Sequence, residues 1–232
     1  VKYMLHRKFD EFGQDGETVG DIAFRRIRTD IIHGRLKPGQ KLRLEVLKEK
    51  YGVSVSTLRE ILSKLTVEEF VSAEGQRGFE VTQVSQAGLR DVADLRLLLE
   101  TYALRKSFAE GDLEWEGAVV SAHYKLAQVE KNLIGGDQSQ VERWVGQDWG
   151  FHHATISACA APALMTTHSS VFDRFLRYHM LVLDFRGKPA AEEHERLRDL
   201  ALARDADRAV DVLTAHVQSG VEHILGTGKI PA

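Results

Sequence analysis

From residue 83 onward the chain carries no strand signal at all, only long stretches of helical period. They are broken at Gly111-Asp112, Gly135-Gly136-Asp137, Ala161-Pro162, Gly187-Lys188-Pro189 and Asp205-Ala206-Asp207. Apolar residues recur with the spacing of a helix rather than a strand. The spacing predicts helices near 86–109, 113–134, 139–159, 163–186, 190–203 and 207–225. Connections this short make sequence neighbours pack antiparallel, so this half reads as an all-helical antiparallel bundle.

The first 82 residues follow another pattern. Residues 1–16 are polar with Gly13 and Gly16 and read as a flexible arm. Thr18 can cap a helix that runs to His33, with Ala23, Ile27 and Ile31 on one stripe and Gly34 ending it. Lys37-Pro38-Gly39 is a turn. A short helix from Leu44 to Tyr51, the turn Gly52-Val53, and a Ser54-capped helix to about Glu68 make a helix-turn-helix pattern. Phe70–Ala73 and Phe79–Thr82 read as two strands joined by the loop Glu74 to Gly78. The expected organisation is therefore arm 1–16, DNA-binding domain 17–82 and helical domain 83–232. The fold class is mainly α, a winged helix-turn-helix followed by a bundle.

Charge supports that division. The formal net charge is -3, but residues 25–64 hold eleven Lys+Arg against four Asp+Glu. A basic block in an otherwise acidic protein is the footprint of a nucleic-acid partner, although a solvated helix face gives the same count. A recognition helix offers its N-terminal side chains to base edges in the major groove. Those are Ser54, Val55, Ser56, Thr57 and Arg59, with Arg43 and Lys41 at the backbone and Arg77 on the loop. A single cysteine, Cys159, excludes an internal disulfide and a four-cysteine zinc site, and fits a reducing compartment. No apolar run approaches membrane-spanning length, and Val1 to Lys8 lack the apolar stretch of a secretory signal, so no membrane partner and a cytoplasmic location are expected.

The string His33-Gly34-Arg35-Leu36-Lys37-Pro38-Gly39-Gln40-Lys41-Leu42, then Tyr51-Gly52-Val53-Ser54 and Leu58-Arg59-Glu60-Ile61-Leu62, resembles the winged helix of the GntR family of bacterial transcription regulators. Gly75-Gln76-Arg77-Gly78-Phe79-Glu80-Val81 resembles its wing. The family often has Arg and Pro where this chain has Val55 and Thr57, so no guanine contact comes from position 55.

In the helical half, Asp148 and His152 are one helical turn apart on one face. His194 and His216 lie at similar distances from the turn Asp205-Ala206-Asp207, so an antiparallel pair brings them level. Three imidazoles and a carboxylate suit zinc foremost, or nickel, manganese or iron. Spacing alone also allows a plain helix-surface pair at 148 and 152, and His153, His179 and His223 compete as ligands. Arg96, inside the apolar run Leu95 to Leu99, must pair with Glu100 or reach for an anion. Arg143, Arg174 and Arg177 are weaker candidates for that task.

Asp94-Leu95-Arg96-Leu97-Leu98-Leu99-Glu100, Asp148-Trp149-Gly150-Phe151-His152, Glu193-His194-Glu195-Arg196-Leu197 and Ala215-His216-Val217 resemble the FCD domain of FadR-type GntR regulators. The resemblance implies that Asp148, His152, His194 and His216 bind a divalent metal and that the effector is a small carboxylic acid. Ala161-Pro162 stands where that family often has Asn-Pro. The reading is a homodimeric regulator of double-stranded operator DNA. Competing readings are a metal-dependent enzyme acting on small acids and a sensor of the metal itself. No further acid or base is placed by a motif to support the enzyme.

Overall fold

In a computed structural model, residues 16–73 and 78–232 are described. The chain divides into two compact units after Gln83.

In the first unit, helix α1 (Val19–Ile32) starts with a capping box. The Thr18 hydroxyl accepts from the Asp21 amide while the Asp21 carboxylate accepts from Thr18. Helix α2 (Leu44–Tyr51) ends at Gly52 in the left-handed region (φ 70°), which a residue without Cβ adopts at no steric cost. Helix α3 (Val55–Val67) begins under the Ser54 cap, whose hydroxyl accepts from the Thr57 amide at 3.1 Å. Ile27, Ile31, Leu58, Leu62, Leu65 and Phe70 are fully enclosed between these helices and the sheet. Asp30 binds α1 to α2, accepting from the Tyr51 hydroxyl at 2.6 Å and pairing with Lys50 at 2.8 Å and Arg35 at 2.6 Å.

The sheet is antiparallel in the order β1 (Lys41–Leu42), β3 (Phe79–Val81), β2 (Val71–Ala73), with Leu42 opposite Phe79 and Val71 opposite Val81. Strand β1 was not anticipated: two residues are too few for any period-2 signal, and only its partner β3 makes it a strand. Arg77, with most of the wing loop, falls outside the described residues.

The second unit is helical throughout among the described residues. Its helices are α4 (Gln86–Glu110), α5 (Leu113–Ile134), α6 (Val141–Ile156), α7 (Pro162–Val182), α8 (Lys188–Leu202) and α9 (Ala206–Gly226), with a single 3-10 turn at Gln138–Gln140. Caps and breakers fix the ends. Ser85, Asp112 and Asp205 each accept from an amide in the first turn of α4, α5 and α9. Pro162 and Pro189 stand in the first turns of α7 and α8, where a missing amide costs nothing. Helix α7 stops at Val182 rather than near 186 because Leu183 turns left-handed (φ 47°), and α6 stops at Ile156 rather than 159. Helix α4 packs against α6, α7 and α9, while α5 packs against α6 and α8. These contacts bring α4, α6, α8 and α9 around one buried centre. No helix among the described residues is long and apolar enough to cross a membrane.

Candidate metal centre and effector cavity

Asp148 and His152 of α6, His194 of α8 and His216 of α9 each offer a ligand atom within 4.8 Å of the others. The three histidines are buried, and the Asp148 side chain keeps 13% of its surface exposed. The His194 and His216 rings are 4.6 Å apart between centroids, and His152 lies 5.1 Å from His216 and 5.6 Å from His194. The antiparallel register expected for α8 and α9 thus does place their histidines level. His153 stacks instead on Trp149, at 4.8 Å.

The hydrogen bonds around the rings decide what the cluster can do. His194 Nδ1 lies 2.7 Å from Glu130 Oε1, and His216 Nδ1 lies 2.8 Å from Glu193 Oε2. A carboxylate only accepts, so His194 donates through Nδ1 and turns Nε2 inward toward Asp148, whereas His216 Nδ1 stands between Glu193 and the donating Arg186 Nη2, 3.2 Å away. His194 Nε2 is 3.2 Å from Asp148 Oδ1 and His152 Nε2 is 3.8 Å from it, yet neither nitrogen has an aligned hydrogen-bond partner. Either a proton on His194 or a cation among these groups would relieve the crowding of acceptors around Asp148. Atoms about 2.0–2.2 Å from one ion stand about 3–4 Å apart, which suits this spacing. Carboxylates behind ligating imidazoles are the usual outer support of such a centre. The residues therefore fit a divalent ion of the nitrogen- and oxygen-binding kind.

The three rings titrate differently. Burial opposes charge on His194, but the Asp148 and Glu130 carboxylates outweigh it and raise the ring to about 9. Burial lowers His216 to about 4 against the pull of Glu193, and burial also pushes His152 well down. Burial works to raise the Asp148 carboxyl, but His194, His152 and His216 beside it hold it far below the usual range.

Beside this cluster a small, partly open cavity is lined from five helices and the α7–α8 connection. Arg96 reaches it from α4. Its Nε donates to Glu100 Oε1 at 3.0 Å, its plane lies over Phe172 and Phe175 at 4.5 and 4.8 Å, and its Nη2 is buried with no partner. Of the two sequence alternatives, the pairing with Glu100 is present, and it leaves Nη2 on the other edge without a partner. His168 also grips Glu100, with Nε2 2.7 Å from the same oxygen. Burial tends to raise Glu100, but Arg96 and His168 keep it strongly acidic. His179 and His223 line the cavity rather than joining the cluster, and Arg143, Arg174 and Arg177 do not line it.

Sequence reasoning missed Glu130, Glu193 and Arg186. Glu130 interrupts the buried stripe Leu126, Val129, Leu133 of α5, and a glutamate on an apolar face was a readable signal. Arg186, beyond α7, clamps Glu193 and lines the cavity, and nothing local marks it.

In the first unit, Arg43, Ser54, Ser56 and Arg59 are exposed, whereas Val55 and Thr57 are half-buried. The Ser54 hydroxyl is 2.7 Å from that of Ser56 and 2.9 Å from that of Thr57. Thr57 also faces α1: a Cβ built on Gly20 would sit 3.5 Å from its methyl. Its first task is therefore packing.

Comparison with known proteins identifies the scaffold. Residues 21–81 match the family described as bacterial regulatory proteins, gntR family, and residues 91–219 match the FCD domain. The chain is 39% identical over 213 residues to the uncharacterized HTH-type transcriptional regulator BphR of Paraburkholderia xenovorans (strain LB400), covering 90% of this chain and 86% of that one. It is 29% identical over 201 residues to the HTH-type transcriptional repressor GlaR of Escherichia coli (strain K12), covering 84% and 90%. The solved structure of Escherichia coli McbR/YncC shares the fold, with a TM-score of 0.74 at 19% identity over 91% of this chain and 99% of that one. These families and relatives are regulators and not enzymes, and the chain belongs to the GntR family of bacterial transcription regulators, with a winged helix-turn-helix and a helical FCD domain.

Proposed function

We propose that residues 83–232 bind a small carboxylic acid beside a divalent metal, and that this binding controls how tightly residues 17–82 hold operator DNA. The observation that carries the reading is the inward convergence of Asp148, His152, His194 and His216, with Glu130 and Glu193 behind two of the rings, next to the spare Nη2 of Arg96.

A divalent ion held by those four residues would supply open coordination positions for an acid oxygen. Glu130 and Glu193, each at Nδ1 of its ring, orient His194 and His216 so that Nε2 is left for the ion. Glu100, itself held by His168, fixes Arg96 so that its free edge meets the carboxylate in a charge-assisted hydrogen bond. Trp144 and Phe175 exclude water along one part of the wall. The acid touches several helices and favours one bundle arrangement over another. Control then requires the two arrangements to differ in DNA affinity, typically by about 1–3 kcal/mol.

On the DNA side, exposed Ser54, Ser56 and Arg59 offer themselves to base edges and Arg43 to phosphate, with Val55 making apolar contact and Thr57 holding the helix start. Arg77 would act from the wing. One short recognition helix gives few base contacts, so a homodimer on a palindromic site is the working assembly.

The test is fluorescence anisotropy on an operator selected from random DNA by the protein itself, with and without chelator and with a panel of small acids. An acid that shifts the operator affinity of metal-loaded protein, and no longer does so after chelation, is the expected result. Operator affinity indifferent to both acid and chelator overturns it. Metal alone shifting the affinity would instead make the ion the signal.

A further inference from the structure

The position of Gly220 addresses which acids fit. Glycine is the poorest helix former after proline, and inside a helix it needs a reason. A left-handed φ is not the reason, since Gly220 is absent from the positive-φ residues. Close packing is not the reason either, since a Cβ built there would meet nothing within 4 Å. Gly117 and Gly150 have the same open surroundings, but of these three only Gly220 lines the cavity.

Gly220 shares its face of α9 with His216, four residues back at the metal cluster, and His223, three residues on beside Asp184 at 3.1 Å. Ala190 of α8 and Val217 complete a stretch of small side chains, and Trp144 and Phe175 supply broad apolar surface in the same cavity. Arg96 and the metal cluster thus share one cavity with Gly220, and the space where a side chain at 220 would begin is open.

We propose that Gly220 is a specificity-determining residue: the space over it takes the body of the acid, so the effector is a carboxylate larger than the shortest acids. This rests on the reading that the cavity binds an acid at all. A methyl group at 220 would enter that space without meeting any atom within 4 Å, and an isopropyl group would extend further into it.

The test is calorimetry of acetate, butyrate and benzoate binding to the full-length, metal-loaded chain, as wild type, Gly220→Ala and Gly220→Val. Metal content and thermal melting are followed in parallel. Wild type is expected to bind butyrate or benzoate more tightly than acetate. Gly220→Val is expected to weaken the larger acids by about ten- to two-hundredfold, the range that a methylene-sized change of pocket commands, with acetate binding and metal content unchanged. Gly220→Ala should fall between, and as a better helix former it keeps the test open if the valine variant folds poorly. The proposal is overturned if wild type prefers acetate, or if both variants bind all three acids as wild type does. It is also overturned if Gly220→Ala, folded and metal-loaded, loses all three equally. If wild type binds none of the three, the acid reading falls, and this inference with it.

Discussion

The two units solve the problem of a core in opposite ways. Between residues 16 and 83, every buried residue among those described is apolar or the tyrosine Tyr51, and charge stays at or near the surface. Beyond residue 83, twelve polar or charged residues are buried, among them Arg96, Glu100, Glu130, His152, His194 and His216. Burying such groups costs several kcal/mol each unless they are paired. An apolar core of that kind stabilises a rigid surface for a partner outside. In the polar core many of these groups pair with one another, but Arg96 Nη2, His152 Nε2 and His194 Nε2 are buried without a hydrogen-bond partner. The N-terminal unit is built as a platform, and the C-terminal unit is the one to which the proposed receptor role falls.

The largest expected effect breaks or sharpens this difference directly. Metal occupancy should collapse in His194→Ala, because three ligands rarely hold what four do. Chelation should lower the melting of the helical unit, since an ion bound only to the folded state contributes about 2.7 kcal/mol at a hundredfold excess over its dissociation constant. The winged-helix unit should melt as before. A chelator without effect on either transition, together with metal-free purified protein, would remove the contrast.

Glu130→Gln comes next. It keeps the shape of the side chain but weakens the support behind His194, and about 10- to 100-fold of metal affinity should be lost in a competition titration. Unchanged affinity would make Glu130 a mere packing group. A pH series sharpens the point. The proton on His194, held up to about 9, must leave before Nε2 can ligate. Apparent metal affinity should therefore climb as pH rises toward that value and fall as pH drops, because proton and metal compete for one lone pair.

On the platform, Arg59→Ala should cost about 1–3 kcal/mol of operator binding and relax sequence preference, while Arg43→Ala should weaken all sequences alike and lower the salt slope by about one. Anisotropy at several salt concentrations separates the two. If both variants bind as wild type does, the exposed ends of α2 and α3 are not the contact surface.

The smallest effect lies at Asp30. Burial tends to raise its carboxyl, but hydrogen bonds from Lys50, Tyr51 and Arg35 outweigh this and lower it. A carboxylate whose folded value is depressed contributes stability above its unfolded value near 3.9, and that contribution is lost as pH falls through the folded value. Asp30→Asn should cost about 1 kcal/mol at neutral pH and flatten the acid limb of the first unit's melting curve. An unchanged acid limb would show that the Asp30 contacts are too solvated to count.

Much of this molecule was legible in one dimension because its signals are local. The Thr18 and Ser54 caps, the Gly52 turn and the prolines at 162 and 189 act within a few residues of themselves, and their elements stand where the pattern put them. So does the one-turn spacing of Asp148 and His152, and antiparallel counting from a short turn sufficed to level His194 with His216. Tertiary structure decided the rest. Strand β1 exists only through β3, Glu130 finds His194 across 64 residues of sequence, and Arg186 reaches Glu193 only after α7 ends early. Arg96 and His168, from different helices, meet on the same oxygen of Glu100, and Gly220 lines one cavity with Ala190, Trp144 and Phe175 from three other helices. Periodicity reports which face of a helix is buried. It carries no record of which distant side chain that face will meet, and both the charge balance and the cavity of the helical domain are set by those meetings.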